Sequence, residues 1–176
     1  MENKSPEAEE NVQKAVKKVN EKKTPPDYGT IPVQKPEGDG CKSITITADT
    51  EKLGAVLIFV DELLESVDCP IKTQMQIDVA IEELFVNIAR YAYHIHKGKA
   101  DISVWFDNDA NTVYIEFCDK GVPFDPLAKE DPDITLSAEK RKIGGLGIYM
   151  VKKSMDGMHY RRDDDKNILT IWKKLR

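Results

Sequence analysis

Three groups of residues in this chain have the types and spacing to handle a phosphorylated ligand: Glu83 with Asn87, Asp119 with Gly121, and Gly144, Gly145 and Gly147. Glu83 and Asn87 stand four residues apart, Asp119 follows Asn87 by 32 positions, and Gly144 follows Asp119 by 25. A glutamate beside an asparagine offers a general base next to an oxygen ligand for a hard cation such as magnesium. Asp119 ends the alternating stretch from Val113 to Cys118, so it stands where a strand gives way to a loop. Such a carboxylate accepts from an exocyclic amine, and Gly121, lacking a Cβ, lets the backbone approach the ring. The glycine cluster opens the apolar-periodic run from Ile148 to Lys153, which puts free amides at a helix N-terminus where the dipole favours phosphate oxygens. This is not a Walker A loop, because no Gly-Lys-Ser/Thr follows, nor a dinucleotide fingerprint, because no strand leads directly into it. Each group alone is common on ordinary helices and turns. Taken in this order and at these spacings they read as a site for ATP with magnesium.

The elements that must position these groups follow from periodicity. Ile77, Ala80, Ile81, Leu84, Ile88 and Ala92 recur at spacings of three and four, which gathers them on one side of a helix at about 100° per residue. On that wheel Glu83 and Asn87 lie about 40° apart at the edge of the apolar arc, whereas Glu82 swings to the far side. Glu83 is therefore the candidate base. The chain from residue 41 reads as strand 43–48, helix 51–66, helix 73–93, strand 100–107, strand 111–118, helix 145–155, strand 157–162 and strand 167–174, with Asn108–Asn111 as a hairpin loop. Segregated helices and mostly antiparallel strands make an α+β fold, a mixed sheet with helices packed on one face. The polar stretch between Pro126 and Ile143 suits a lid over the nucleotide, and its basic end, Lys140-Arg141-Lys142, abuts the glycines.

With these residues in place, Glu82 to Tyr93, Asp119-Lys-Gly121-Val-Pro123-Phe124-Asp125-Pro126 and Gly144-Gly-Leu-Gly147-Ile-Tyr-Met-Val, the chain resembles the GHKL ATPases. Within them it is most similar to the anti-sigma-factor serine kinases. Tyr91 departs from that branch, which often has histidine there. The resemblance implies a Bergerat-type ATPase sandwich, with Glu83 as general base, Asn87 as magnesium ligand, Asp119 as the carboxylate that reads adenine and Gly121 as its neighbour. Gly145 and Gly147 would cradle phosphate, helped by Gly144, and Thr170 on the last strand would support Asp119. It further implies binding to a sigma factor or other output regulator, phosphorylation of a serine on a STAS-domain anti-sigma antagonist, and assembly as a homodimer. The competing readings are a nucleotide-dependent module that sequesters a regulator without turnover, and a fragment of a sensor histidine kinase. The latter is disfavoured because His94, His96 and His159 lie inside or after the ATP-binding region, with no phosphoacceptor helix before it.

Composition agrees with one small domain and an extension. The 176 residues carry a net charge of −5, which argues against nucleic acid as the main partner. No stretch is apolar enough to cross a membrane, and the start lacks a signal-peptide pattern, so a cytoplasmic protein is expected. Cys41, Cys69 and Cys118 lack metal-ligand spacing and are expected to be reduced thiols. Residues 1–40 hold five of the nine prolines and little apolar mass, so they are expected to add little to the domain at 41–176. They do contain Ala8, Val12, Ala15, Val16 and Val19 at helical spacing, enough for a short amphipathic helix followed by a Pro-rich linker.

Overall fold

The first described element follows the polar, proline-rich part of the sequence. The computed structural model describes residues 35–94, 97–128, 131–132 and 146–175. A 3₁₀ turn at Gly38–Gly40 leads into β1 (Cys41–Thr47). A second at Thr50–Lys52 leads into α1 (Leu53–Ser66), then come α2 (Ile71–Asn87) and a π-helical turn at Ile88–Ala92. Next are β2 (Lys99–Asp107), β3 (Thr112–Asp119), α3 (Leu146–Ser154), β4 (Gly157–Asp163) and β5 (Lys166–Lys174). The five strands order as β1-β2-β3-β5-β4. The sheet, expected to be mixed and mostly antiparallel, is antiparallel at every pairing among the described residues.

Strand alternation divides this sheet into two unlike faces. Ile102 and Val104 of β2, Ile115 and Phe117 of β3, and Leu169 and Ile171 of β5 join the core with the helices. α1 contributes Val56, Val60 and Leu64 at a spacing of four, and α2 contributes Ile77, Ala80, Ile81, Leu84 and Phe85. Each large apolar side chain so buried contributes about 1.5–3 kcal/mol. The opposite parity, Ser103, Trp105, Glu116 and Thr170, points away from the helices and lies outside that core cluster.

Local chemistry sets the helix ends. α1 stops because Asp68 takes a left-handed conformation, φ 51°, and Cys69 N–H donates back to the Leu64 carbonyl at 3.0 Å. α2, expected over 73–93, starts two residues earlier and leaves regular α geometry after Asn87. Bonds made at its C-terminal end account for the change. The Ala92 carbonyl accepts from Val122 N–H at 2.9 Å, and the Tyr93 hydroxyl donates to the Lys99 carbonyl at 2.6 Å while accepting from Lys120 N–H at 3.0 Å. A π turn widens the backbone to meet these partners, a distortion common beside functional sites.

Between α1 and α2 lies a pair of carboxylates. Asp61 accepts from Gln74 Nε2 at 2.8 Å, whereas Asp78 Oδ1 is buried with no hydrogen-bond partner among the described residues. Burial, then the neighbouring Asp61 carboxylate, pushes the Asp78 carboxyl from 3.8 up to about 6. The folded state thus holds this proton more tightly than the unfolded chain. Its stabilising contribution is complete below 3.8 and is lost as pH rises through about 6. Asp78→Asn should therefore raise the melting temperature near neutral pH and flatten its decline between about pH 4 and pH 6. Thermal melts across that window test this, and a variant with the wild-type pH profile would show that the carboxylate is solvated in the native state.

Candidate functional site

Asp119 is the last residue of β3 and faces Asn167, the second residue of β5, across the antiparallel ladder. Only 6% of it is exposed. Its Oδ1 accepts from Gly121 N–H at 2.7 Å and from Asn167 Nδ2 at 3.0 Å, and neither bond uses Oδ2. One carboxylate oxygen is thus fixed by the protein, and among the described residues no hydrogen bond is made to the other.

Asn167 is the hub of this corner. Its Nδ2 also donates to the Val122 carbonyl at 3.0 Å. Its Oδ1 accepts from Tyr160 Oη at 2.9 Å, Arg162 Nη1 at 2.8 Å and Phe124 N–H at 3.3 Å. Because the nitrogen faces only acceptors and the oxygen only donors, the amide has one satisfying orientation. The loop after β3 is held at Asp119, Val122 and Phe124 by this one side chain. From the other side it rests on the π turn, where a Cβ at Gly121 would collide with the Ala92 carbonyl and methyl group. Burial pushes the Tyr93 hydroxyl up, so it stays protonated and donates to the strand backbone that flanks the same loop.

Glu83 and Asn87 are half-buried and Glu82 is exposed, as the helical wheel requires. α3 packs against α2 so closely that the Glu83 carboxylate lies on the Cα of Gly147, and any Cβ there would overlap Oε2. The candidate base and the first turn of α3 are therefore one contact. Lys152, on the same helix, has a side chain 5% exposed and donates to Asp131 Oδ1 at 3.2 Å, which ties the start of the polar stretch to α3. Gly144, Gly145 and the basic run Lys140-Arg141-Lys142 lie outside the described residues, as does most of the expected lid.

Thr170 does not join this group. It stands three residues past Asn167, an odd step that turns it to the other face of the sheet, where its hydroxyl donates to Glu116 Oε2 at 3.4 Å. The support for Asp119 expected from Thr170 is supplied by Asn167. Sequence reasoning missed Asn167 and Tyr93. For Asn167 a signal existed: pairing Asp119 with the start of the last strand places that asparagine opposite it.

The geometry is matched by likeness to known proteins. Residues 46–173 match the histidine kinase-like ATPase domain family. The chain belongs to that family. Serine-protein kinase RsbW of Bacillus licheniformis is 24% identical over 135 residues, covering 73% of this chain and 74% of its own length. The solved structure of the RsbU and RsbW domains of Rv1364c from Mycobacterium tuberculosis aligns with a TM-score of 0.55 at 16% identity, over 77% of this chain and 32% of that one. At that identity the likeness concerns the fold, and this chain spans about a third of that protein. The GHKL resemblance expected from the motifs accordingly holds, and the likeness to serine-protein kinase RsbW agrees with the anti-sigma-kinase branch expected within it.

In this histidine kinase-like domain the hub residue should matter more than the threonine. Asn167→Ala strands several polar partners in a buried corner, a loss of about 1–3 kcal/mol that urea unfolding would show as a lower midpoint. Thr170→Val removes one longer contact and should cost less. A larger loss at Thr170 would return the support of Asp119 to that residue.

Proposed function

We propose that this chain is an ATP-dependent serine-protein kinase of a partner-switching system in the cytoplasm. It holds a sigma factor or other output regulator and phosphorylates a serine on a STAS-domain antagonist. The observation that carries the nucleotide part is Asp119, buried at the end of β3 with Oδ1 fixed by Gly121 and Asn167 and Oδ2 left for the adenine amine. Kinship with a serine-protein kinase carries the rest.

The residues present fit ATP and magnesium. Among the described residues no three His, Cys, Asp or Glu side chains cluster as a metal-ligand set. A magnesium ion here would accordingly be held by Asn87 together with phosphate oxygens, a common arrangement for this ion. When bound, it neutralises charge on the transferring phosphoryl group. The chain's own residues supply recognition and proton transfer. Asp119 accepts from adenine, Gly121 gives the ring access to the backbone, and the α3 N-terminus at Gly147 faces the phosphates with its dipole. Glu83 takes the proton of the serine hydroxyl as the nucleophile attacks in line. No described helix is long and apolar enough to cross a membrane.

Asp119→Ala should abolish ADP and ATP binding in titration calorimetry, and equal affinities would remove Asp119 from the site. Asn87→Ala should weaken both magnesium-dependent ATP binding and transfer. Glu83→Gln should keep binding and lose roughly 10²–10⁴ in phosphoryl transfer to the cognate STAS-domain protein. Transfer at the wild-type rate by the Glu83→Gln variant would mean that another group is the base. A wild-type chain that binds ATP and a regulator yet transfers no phosphate would be a sequestering module instead.

A further inference from the structure

Part of the sheet face turned away from the helices is buried, although no described helix lies on it; on the same face Ser43, Thr45 and Asp101 are exposed and Tyr114 and Trp172 half-buried. Trp105 is 4% exposed and Ile168 7%, and both lie outside the core cluster formed with the helices. Trp105 stacks on Tyr114 with ring centres 5.3 Å apart, and Tyr114 meets Trp172 at 6.2 Å, so a flat aromatic ladder runs across β2, β3 and β5. Beside it Glu116, buried among Ser103 and Thr170, is reached by one described residue from before the first strand: Lys35 Nζ donates to Ser103 Oγ at 2.5 Å and to Glu116 Oε1 at 3.4 Å.

Lys35 fixes where the preceding 34 residues start. Lys35 itself lies on this face, its cation paired with the buried Glu116 carboxylate. The sequence of those 34 residues has what the ladder lacks. Ala8, Val12, Ala15, Val16 and Val19 form a narrow stripe of small side chains at helical spacing, a shape that lets a helix lie close on flat rings. Twelve helical residues span about 18 Å, against about 19 Å for the four strand spacings of a five-stranded sheet. Residues 20–34 between the stripe and Lys35 are long enough to bring the chain back over the face.

We propose that residues 8–34 of this chain cover the free face of its own sheet, with the stripe from Ala8 to Val19 seated on the Trp105–Tyr114–Trp172 ladder. This departs from the expectation that residues 1–40 add little to the fold. The cover would leave the Asp119 corner open, because that corner faces the helical layer.

Both tryptophans of the chain lie on this face, so intrinsic fluorescence reports on it alone. In the full chain, Val12→Asp with Val16→Asp and Val19→Asp should red-shift the tryptophan emission, increase acrylamide quenching and lower the melting temperature. Lys14→Asp with Lys17→Asp, on the opposite side of the same helix, should leave all three unchanged. Should the aspartate variant lose its fold, serine at the same three positions gives the same test. Unchanged emission and quenching in the stripe variant would overturn the proposal. So would a red shift on dilution of the wild-type chain with no effect of the stripe substitutions, which would assign the face to a second copy.

Discussion

A buried hydrogen bond between two short side chains, the Asn167 amide and the Asp119 carboxylate, sets the geometry of the whole corner. It is made across paired residues of β3 and β5, so the register of that pair decides whether it exists. A slip by one residue would bring Ile168 opposite Asp119 and send the amide to the other face. With the register in place, every polar atom of Asn167 is matched, and the loop from Lys120 to Phe124 inherits its position from a sheet instead of from its own conformation. Leaving such groups unmatched in a dry corner is costly, which is why one asparagine can order so much backbone.

Two missing side chains complete the arrangement. At Gly121 the absent Cβ lets the loop press on the carbonyl of Ala92, and at Gly147 it lets α3 lie on the Glu83 carboxylate. The sheet loop is thereby referenced to the end of α2, and α3 to its middle. The Asp119 carboxylate, the candidate base Glu83 and the first turn of α3 are all positioned relative to one helix through these contacts. Sites built this way keep their geometry better than sites carried on free loops.

The parts that were legible in the sequence are those in which period and composition act locally. The stripe of α2 separated Glu83 from Glu82, and the alternation ending at Cys118 placed Asp119 at a strand end. Order and spacing of the three groups then pointed to the family. The π turn was not legible, because Ile88 and Ala92 continue the apolar spacing and the distortion comes from partners more than 25 residues away at Lys120 and Val122. Thr170, expected to support Asp119, is turned away from it by parity. Ile168, Thr170 and Trp172 share one face of β5, and Asp119 requires a partner from the other.

The same two strands serve both faces of the sheet. Along β3, Glu116 points to the free face and Asp119 to the helical side. Along β5, Thr170 and Asn167 divide in the same way. Glu116 and Thr170 bond to each other and not to Asp119 or Asn167, so a cover over them acts on that corner through the pairing of β3 with β5. A cover that buries the aromatic ladder stabilises the paired strands over the unpaired ones, and the Asp119–Asn167 bond exists only while they are paired in that register. Occupancy of the far face and order at the nucleotide corner are therefore coupled by shared strand stability, a thermodynamic link that needs no pathway of moving side chains between them.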